Sequence, residues 1–336
     1  MAKEVTLLPL TSLADGWDAT VARLSSPAPL HQSWAWGEAQ ECVGWPPERV
    51  ALPSGGTAQV LLRGGTHFKW GYVPRGPVPA TMLAIDELVA WARSRGLALL
   101  RVEPEGPEKL AEALLCAGFR RGPLIEARRT AIVTLRSDES MLASFRKSTR
   151  QNIRTAERHG IIVEEAWDTS ELSRLVQLSA RRHSVYITGA DFHRALTSNL
   201  PDRHIYLARY RGEVLAAVFV AHHDGRAYYL IGGSSRHGQE VMPNYALQWH
   251  AMRRARAAGC LDYDLCGLPT SDDPHDPWQN LRQFKAGFGG VQVTYPGTWD
   301  IVLAPIRYQA MHQLHRARLR ASRLLTRVRR LADTAR

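Results

Sequence analysis

A lysine set between two phenylalanines is the residue of this chain most suited to chemistry: Phe284-Lys285-Ala286-Gly287-Phe288, closed by Gly289-Gly290. The stretch 281–290 reads as an apolar helix end whose glycines permit a left-handed exit, followed by a strand-like run at 291–295. An ammonium partly stripped of water by aromatic neighbours is a strong point of positive charge, useful where negative charge develops on a carbonyl or phosphate oxygen. The same spacing fits a surface lysine snorkelling from a packed helix, and spacing alone leaves both readings open. A second cation, Arg75, lies in the rigid turn Pro74-Arg75-Gly76-Pro77, where it either presents a fixed guanidinium to an anion or is simply solvated. The loop at 271–277 offers oxygen and imidazole ligands, but its two prolines and exposed composition mark an ordinary acidic loop. His222-His223, Ser234-Ser235 and Ser33 have no triad spacing. Cys42, Cys116, Cys260 and Cys266 are scattered without a C-x-x-C pair or a histidine at zinc spacing, so reduced thiols and no metal are expected.

The elements that position these residues are bounded by length and composition. At 336 residues the chain is long enough for two domains of about 150 residues each. No run of about 18 apolar residues occurs, and Met1-Ala2-Lys3-Glu4-Val5 lacks the basic start and apolar core of a secretory signal, so a cytoplasmic protein is expected. The net charge of +11 is unevenly spread. Beyond Pro305 lie nine arginines and a single acid, Asp333, so eight of the eleven excess charges belong to that segment and the body is only mildly basic.

Hydrophobic periodicity and turn residues predict a strand at 4–9, a helix at 12–25 and a short buried helix at 32–40 bearing Trp34 and Trp36. Strands follow at 58–63 and 69–73. A helix at 82–95, a strand at 97–102, a helix at 107–117 and a strand at 129–135 then form an order that returns as helix 241–258, strand 261–265, helix 279–286 and strand or hairpin 291–303. Both copies end their second helix with Ala-Gly-Phe, which points to a degenerate internal duplication. Between them, 138–159 reads as one long helix with a cationic stripe of Arg146, Lys147, Arg150, Arg154 and Arg158 opposite Phe145, Ile153 and Ala156. A basic helix at 170–183 and an antiparallel meander at 204–210, 213–222 and 226–231 complete the second unit. The last segment, 306–331, is amphipathic, with Arg316, Arg320, Arg323, Arg327 and Arg330 away from its leucines; it either lies solvated on the body or meets tRNA or an anionic membrane surface.

Strands followed by helix, strand, helix, strand is the order of N-acetyltransferase-type folds, in which two central strands splay and expose backbone groups to an acyl donor. The glycine-rich pyrophosphate loop such folds ordinarily carry has no match at Gly232-Gly233-Ser234-Ser235-Arg236-His237-Gly238, which argues against coenzyme A, and no cofactor is expected.

Taken together, these features resemble the Fem family of aminoacyl-tRNA-dependent peptidyltransferases. The matching points are Gln32-Ser33-Trp34-x-Trp36-Gly37, Tyr72-Val73-Pro74-Arg75-Gly76-Pro77, Lys147-x-x-Arg150-x-x-Ile153-Arg154-x-Ala156, Arg182-His183 with Tyr186, Gly259-x-x-x-Tyr263-Asp264-x-x-Gly267 and Phe284-Lys285-x-Gly287-Phe288-Gly289-Gly290. The resemblance implies an α/β protein of two tandem acetyltransferase-like (GNAT-type) domains with mixed sheets, at 1–136 and 137–304, followed by the basic helix at 305–336. It implies transfer of glycine, alanine or serine from aminoacyl-tRNA to the stem-peptide amine of a peptidoglycan precursor, UDP-linked or lipid-linked. Arg182 and Tyr186 would grip the precursor near its phosphate, and Lys285 would stand at the reacting ester. Trp36, Gln40, Tyr72, Arg75, Tyr229 and Phe284 are the remaining substrate-contact candidates, and Arg150, Arg154, Arg316, Arg320, Arg323 and Arg327 the candidates for tRNA or an anionic surface. Gln40 departs from the lysine many members carry there, which removes a charge attraction to phosphate. The long helical arm of some members is absent.

For such a reaction the ester is already activated, leaving alignment, proton uptake and oxyanion stabilisation to the protein. An unshifted lysine stays protonated near neutral pH, so Lys285 is cast as the cation. Asp264 either accepts the amine's proton or serves as a turn-capping carboxylate. Two other readings stay open: tRNA-dependent transfer to a peptide natural product or protein N-terminus, and a non-catalytic RNA-binding module on the same scaffold.

Overall fold

The computed structural model describes residues 14–65, 68–183, 189–269 and 279–310, without the side chains of 182–183 and 279–280. The expected strand at 4–9, Tyr186, the acidic loop at 271–277 and all but the start of the final basic helix, including Arg316, Arg320, Arg323 and Arg327, lie outside the described residues.

In chain order the elements are α1 (Ala14–Leu24), α2 (Trp34–Glu41), β1 (Pro47–Ala51), β2 (Thr57–Gly65), β3 (Phe68–Pro74), α3 (Met82–Ser94), β4 (Leu99–Glu103), α4 (Leu110–Cys116), β5 (Arg120–Arg121) and β6 (Arg129–Thr134). They continue as α5 (Asp138–Ser144), α6 (Lys147–Arg158), β7 (Ile162–Ala166), α7 (Ser170–His183), α8 (Ala190–Asn199), β8 (Arg203–Tyr210), β9 (Glu213–His223), β10 (Arg226–Ser234), α9 (Pro243–Ala257), β11 (Asp262–Asp264), α10 (Gln279–Ala286), β12 (Val291–Thr294) and β13 (Trp299–Val302). Among the described residues the strands form two mixed sheets, ordered β1-β2-β3-β4-β13-β5 and β12-β6-β11-β10-β9-β8-β7. No helix among the described residues is long and apolar enough to cross a membrane.

The second sheet is covered on both faces, and β9 shows why it reads as one continuous apolar run. Ala216, Val218 and Val220 join the core beneath α9, whereas Ala217, Phe219 and Ala221 join the core with α7 and α8. The first sheet packs on α3 and α4 through Ile85, Leu88, Leu114 and Phe119. Phe119 and Phe288, the aromatics of the two Ala-Gly-Phe stops, are both buried, each in the core of a different sheet.

The sheets exchange strands. β6, which follows the first unit's helices, pairs antiparallel with β11 and β12 of the second sheet. β13, at the far end of the second unit, pairs with β4 and β5 of the first. A boundary near 136 therefore does not separate the sheets; alternation marks a segment as strand without naming its partner. The two crossing segments also bond to each other, Tyr295 N to Arg128 O at 2.8 Å and Gly122 N to Thr298 O at 3.0 Å. Asp300 of β13 sits opposite Arg101 of β4, and the pair forms a buried two-pronged ion pair at 2.7 and 2.9 Å.

The helix expected over 138–159 is broken. Phe145 is extended at φ −75°, ψ 151°, so α5 ends before it and α6 begins anew at Lys147. The reason is tertiary: the Phe145 ring is buried edge-on against Trp249 and Phe288, and Arg146 N donates to Gly287 O at 2.9 Å. This joint also explains two glycines after Lys285. A Cβ on Gly287 would lie 2.3 Å from Thr149 Oγ1, and one on Gly289, at φ +71°, 2.9 Å from Ser144 O. The glycine-rich exit lets the α5–α6 joint close on α10. Strands β1 and β7 and helix α8 have no counterpart in the sequence reading; the two strands are largely polar and half-exposed, so their alternation is weak.

Candidate functional site

Strands β10 and β11 are paired in parallel over 226–228 and 262–264 only, after which β10 runs on to Ser234 with β9 as its one strand partner among the described residues. The opening is accentuated by a register irregularity between Tyr229 and Ile231. A cleft of about 690 Å³ starts at this divergence, with Leu230 and Ile231 on its wall, and extends beneath α2, β3 and the crossing segments that carry Glu126 and Tyr295.

Five of the residues singled out in the sequence line this cleft: Trp36, Gln40, Tyr72, Arg75 and Asp264. Trp36 is anchored by its position on α2, which is capped by Ser33 accepting from Trp36 N at 3.2 Å. The residue is 4 % exposed and Nε1 has no hydrogen-bond partner among the described residues, which makes it a donor suited to a ligand. Tyr72 contributes its ring, because its hydroxyl donates to Glu103; burial and that carboxylate push its pKa well up.

Arg75 is buried, which settles the choice left open by its turn against a solvated side chain. It sits at φ 52°, donates to Ala127 O at 2.7 Å and lies 4.3 Å from the Tyr295 ring centroid. Burial opposes its charge, but Glu126, Glu105 and Tyr295 more than compensate, and its pKa is raised. Burial likewise opposes ionisation of Glu126, yet His31 at 3.5 Å and Arg75 overcome it and hold that carboxyl down at about 2. The cleft thus carries the carboxylates of Glu105, Glu126, Asp191 and Asp264 against the guanidiniums of Arg63 and Arg75, a balance that favours a cationic or amine-bearing guest.

Asp264 ends β11. Its Oδ1 accepts from Cys266 N at 2.8 Å and from Thr130 Oγ1, so the capping role is real. Asp264 nonetheless lines the cleft. Beyond it the chain turns through left-handed backbone at Cys266, φ 41°, and Gly267, φ 63°. Lys285 locks that turn from behind: Nζ donates to Cys266 O and, at 2.9 Å, to Gly267 O. It is 6 % exposed and lies 5.0 Å from the Tyr229 ring centroid. Burial lowers its pKa to about 8, with Cys266 and Asp264 opposing the fall. The sequence treats Lys285 as unshifted, since burial depth is invisible in spacing; the structure makes it a marginal cation one residue behind the cleft wall.

Other expected contacts do not converge here. Phe284 packs edge-on against Tyr245 and Phe288. Tyr229 lies beneath Lys285 with its hydroxyl pushed up to about 12 by burial. Neither is among the cleft-lining residues. Arg182 lies at the end of α7, and its side chain falls outside the described set, as does Tyr186. Arg150 is partly buried and its Nη1 donates to Phe145 O and Leu142 O, capping the end of α5, while Arg154 stays exposed on α6 beside Lys147 and Arg158. His31, Glu105, Glu126, Tyr228 and Tyr295 also line the cleft without having been anticipated. Their signal is weak because Glu126 lies in an aperiodic crossing segment, and the strand-like run that Tyr295 ends does not tell which of its side chains meets a cleft.

Residues 143–280 match the acetyltransferase (GNAT) domain model. The described residues adopt a fold of two tandem acetyltransferase-like units: the chain superposes on a tandem GNAT protein from the clavulanic acid biosynthesis pathway with a TM-score of 0.52 at 12 % identity, covering 89 % of this chain and 99 % of that one. The crystal structure of FemX matches with a TM-score of 0.73 at 20 % identity, covering 90 % of this chain and 98 % of that one. A Staphylococcus saprophyticus protein named lipid II:glycine glycyltransferase is 23 % identical over 391 aligned residues, 88 % of this chain and 94 % of the relative. The resemblance to the Fem transferases therefore holds along nearly the full chain.

Proposed function

We propose that this chain is an aminoacyltransferase that moves glycine, alanine or serine from an aminoacyl-tRNA onto a stem-peptide amine of a peptidoglycan precursor, forming an interpeptide side branch. The observation that carries this reading is the cleft at the parting of β10 and β11, an acidic lining of Glu105, Glu126 and Asp264 backed by the buried Lys285. The name of the Staphylococcus saprophyticus relative supports the acceptor. The carboxylates attract the acceptor amine, and Asp264 takes up its proton. The freed nitrogen attacks the ester carbonyl; the new C–N bond forms, the ester C–O bond breaks, and the departing ribose oxygen takes up a proton. Lys285 holds two wall carbonyls with two N–H groups, and its positive charge stabilises the oxyanion.

Within the same reading, Trp36 Nε1, Gln40, Tyr72 and Arg75 hold the precursor, with Arg182 and Tyr186 near its phosphate. Arg154 and the exposed cations of α6, together with Arg316, Arg320, Arg323 and Arg327, meet tRNA or the anionic inner membrane surface. The protein would act in the cytoplasm.

The test is reconstitution: labelled glycyl-, alanyl- and seryl-tRNA with lipid-linked and UDP-linked precursor, read by mass spectrometry of the acceptor. The expected result is a mass increment of one residue or more from at least one charged tRNA. No increment with any of them, or acyl transfer from acetyl-coenzyme A in their place, overturns the proposal.

A further inference from the structure

On the opposite face of the second sheet from the cleft residue Tyr228, three side chains from the start of β8 and the end of β9 converge. Asp202 precedes β8, His204 lies on it, and His222 lies on β9 with its backbone N donating to Asp202 O at 2.8 Å. Asp202 Oδ1 is 3.0 Å from His204 Nε2 and 3.3 Å from His222 Nδ1. The potential ligand atoms of all three lie within 4.8 Å of one another. We propose that Asp202, His204 and His222 form a binding site for a divalent transition-metal ion of the zinc class.

The spacing is the first argument. A tetrahedral ion with bonds of about 2.0–2.1 Å sets its ligand atoms about 3.3–3.4 Å apart. The two Asp202 contacts already have that separation to within a few tenths of an ångström, and the remaining pair needs to close by no more than about 1.4 Å. A small rotation of the His222 ring or a shift between the paired ends of β8 and β9 supplies such a movement, while Asp202, largely exposed, turns to follow the ion.

Satisfaction of polar groups is the second. The His222 side chain is 4 % exposed, and among the described residues neither ring nitrogen has a well-aligned hydrogen-bond partner; Asp202 Oδ1 stands 3.3 Å from Nδ1, and Nε2 has none. A buried imidazole without a hydrogen-bonding partner asks for one, and a metal ion is the partner that the adjacent carboxylate and imidazole would share. The third argument is the second ring nitrogen of His204. Its Nδ1 lies 2.6 Å from Glu165 Oε1 of β7, the carboxylate–histidine arrangement that fixes a ligating ring and strengthens its other nitrogen as a donor. Stacking on Tyr206, at 5.6 Å and 1° between planes, further holds the His204 ring.

Two imidazoles and one carboxylate suit zinc, cobalt or nickel over magnesium or calcium, which take oxygen ligands. Asp202 is 54 % exposed, so a water completes the shell from the solvent side. The ion would pin the chain before β8 to β9, a structural clip on the sheet that carries the cleft, and it takes no part in acyl transfer. The ligands come from neighbouring strands, which hides them from sequence spacing.

The test uses the full-length untagged chain, stripped with chelator and titrated with zinc chloride by calorimetry. A single equivalent is expected to bind and to raise the melting temperature, while magnesium chloride produces neither effect. Cobalt chloride should give visible absorption bands of a tetrahedral nitrogen and oxygen shell. Asp202→Asn, an exposed change, should weaken zinc at least about tenfold and abolish the cobalt bands, as should His222→Gln if it folds. Absence of stoichiometric zinc uptake by the unmodified chain, or uptake unchanged in Asp202→Asn and His204→Ala, would overturn the proposal in favour of a hydrogen-bonded network or adventitious ion.

Discussion

Each unit of this protein lays two parallel strands side by side, and the two pairs end differently. In the first, β3 and β4 stay in register to their ends, Pro74 opposite Glu103. Glu103 then seals the end. Its carboxylate accepts from Ile125 N at 3.1 Å, Glu126 N at 3.2 Å, the Tyr72 hydroxyl and Thr298 Oγ1, and burial raises its pKa. In the second, the pair stops at Tyr228 opposite Asp264 and the strands part. Asp264 is bonded to Thr130 and Cys266 on one oxygen and lines the cleft. An acid closes the strand end in both units. Where every acceptor position is filled from within, the acid is structural; where donors are fewer and the strands diverge, a site opens.

Substitutions can break that contrast. The largest effect is expected at Lys285 behind the open end. Lys285→Met should lower the transfer rate by about 10²–10³, as for loss of one oxyanion-stabilising group, with the circular dichroism spectrum unchanged. The pH profile sharpens the point. With a pKa of about 8, the cation is present below that pH, so the rate should be level below 8 and fall above it. Stability runs the other way. Between 8 and the ordinary 10.5 the unfolded chain binds a proton that the folded chain does not, so unfolding free energy should rise with pH across that window. Relative to Lys285→Met, the rise is up to about 3 kcal/mol, measured by urea titration at each pH.

Next comes the strand exchange that joins the two units. Asp300→Ala leaves the buried Arg101 guanidinium uncompensated and should cost about 3–5 kcal/mol. The paired change Arg101→Met with Asp300→Leu should recover most of it, and equal losses in both variants would show that the exchange needs the ion pair itself, not merely the absence of an unpaired buried charge.

The two strand-end acids should then separate cleanly. Glu103→Gln presents an amide to backbone N–H donors and should cost about 2 kcal/mol in stability. Asp264→Asn can still accept from Thr130 and Cys266 through its carbonyl oxygen, so its stability should change by under about 1 kcal/mol, while transfer falls about 10²-fold or more. A variant pair with the reverse pattern would sink the distinction between plug and site.

The smallest effect is expected at the glycine exit. Gly287→Ala drives a methyl against the buried Thr149 and should cost about 1–2 kcal/mol, and Thr149→Ala should relieve most of that in a double-mutant cycle.

Much of this was legible before the fold was known. The helices at 82–94 and 243–257, the meander and the two Ala-Gly-Phe stops follow from local periodicity and turn chemistry. Trp36, Tyr72, Arg75 and Asp264 stand in the motifs that carry the Fem resemblance and Gln40 at a departure from it, and all five line the cleft. The break at Phe145 was not legible, because its cause is a contact with Trp249 and Gly287 far along the chain. Glu126 was missed for a related reason: it lies where the chain crosses between sheets, and no repeating pattern marks that segment; Tyr295 ends a legible strand-like run, but alternation does not say that its side chain meets a cleft.

By itself, then, the sequence determined the elements, their order and the kinds of side chain available to a site, since each depends on residues within a few turns or a strand length of one another. Tertiary structure decided which sheet β6 and β13 enter, that β10 and β11 part after 228 and 264, and that burial brings Lys285 to the edge of losing its proton. Those outcomes depend on strand pairing and on water excluded by distant residues, and neither quantity is defined until the chain has closed on itself.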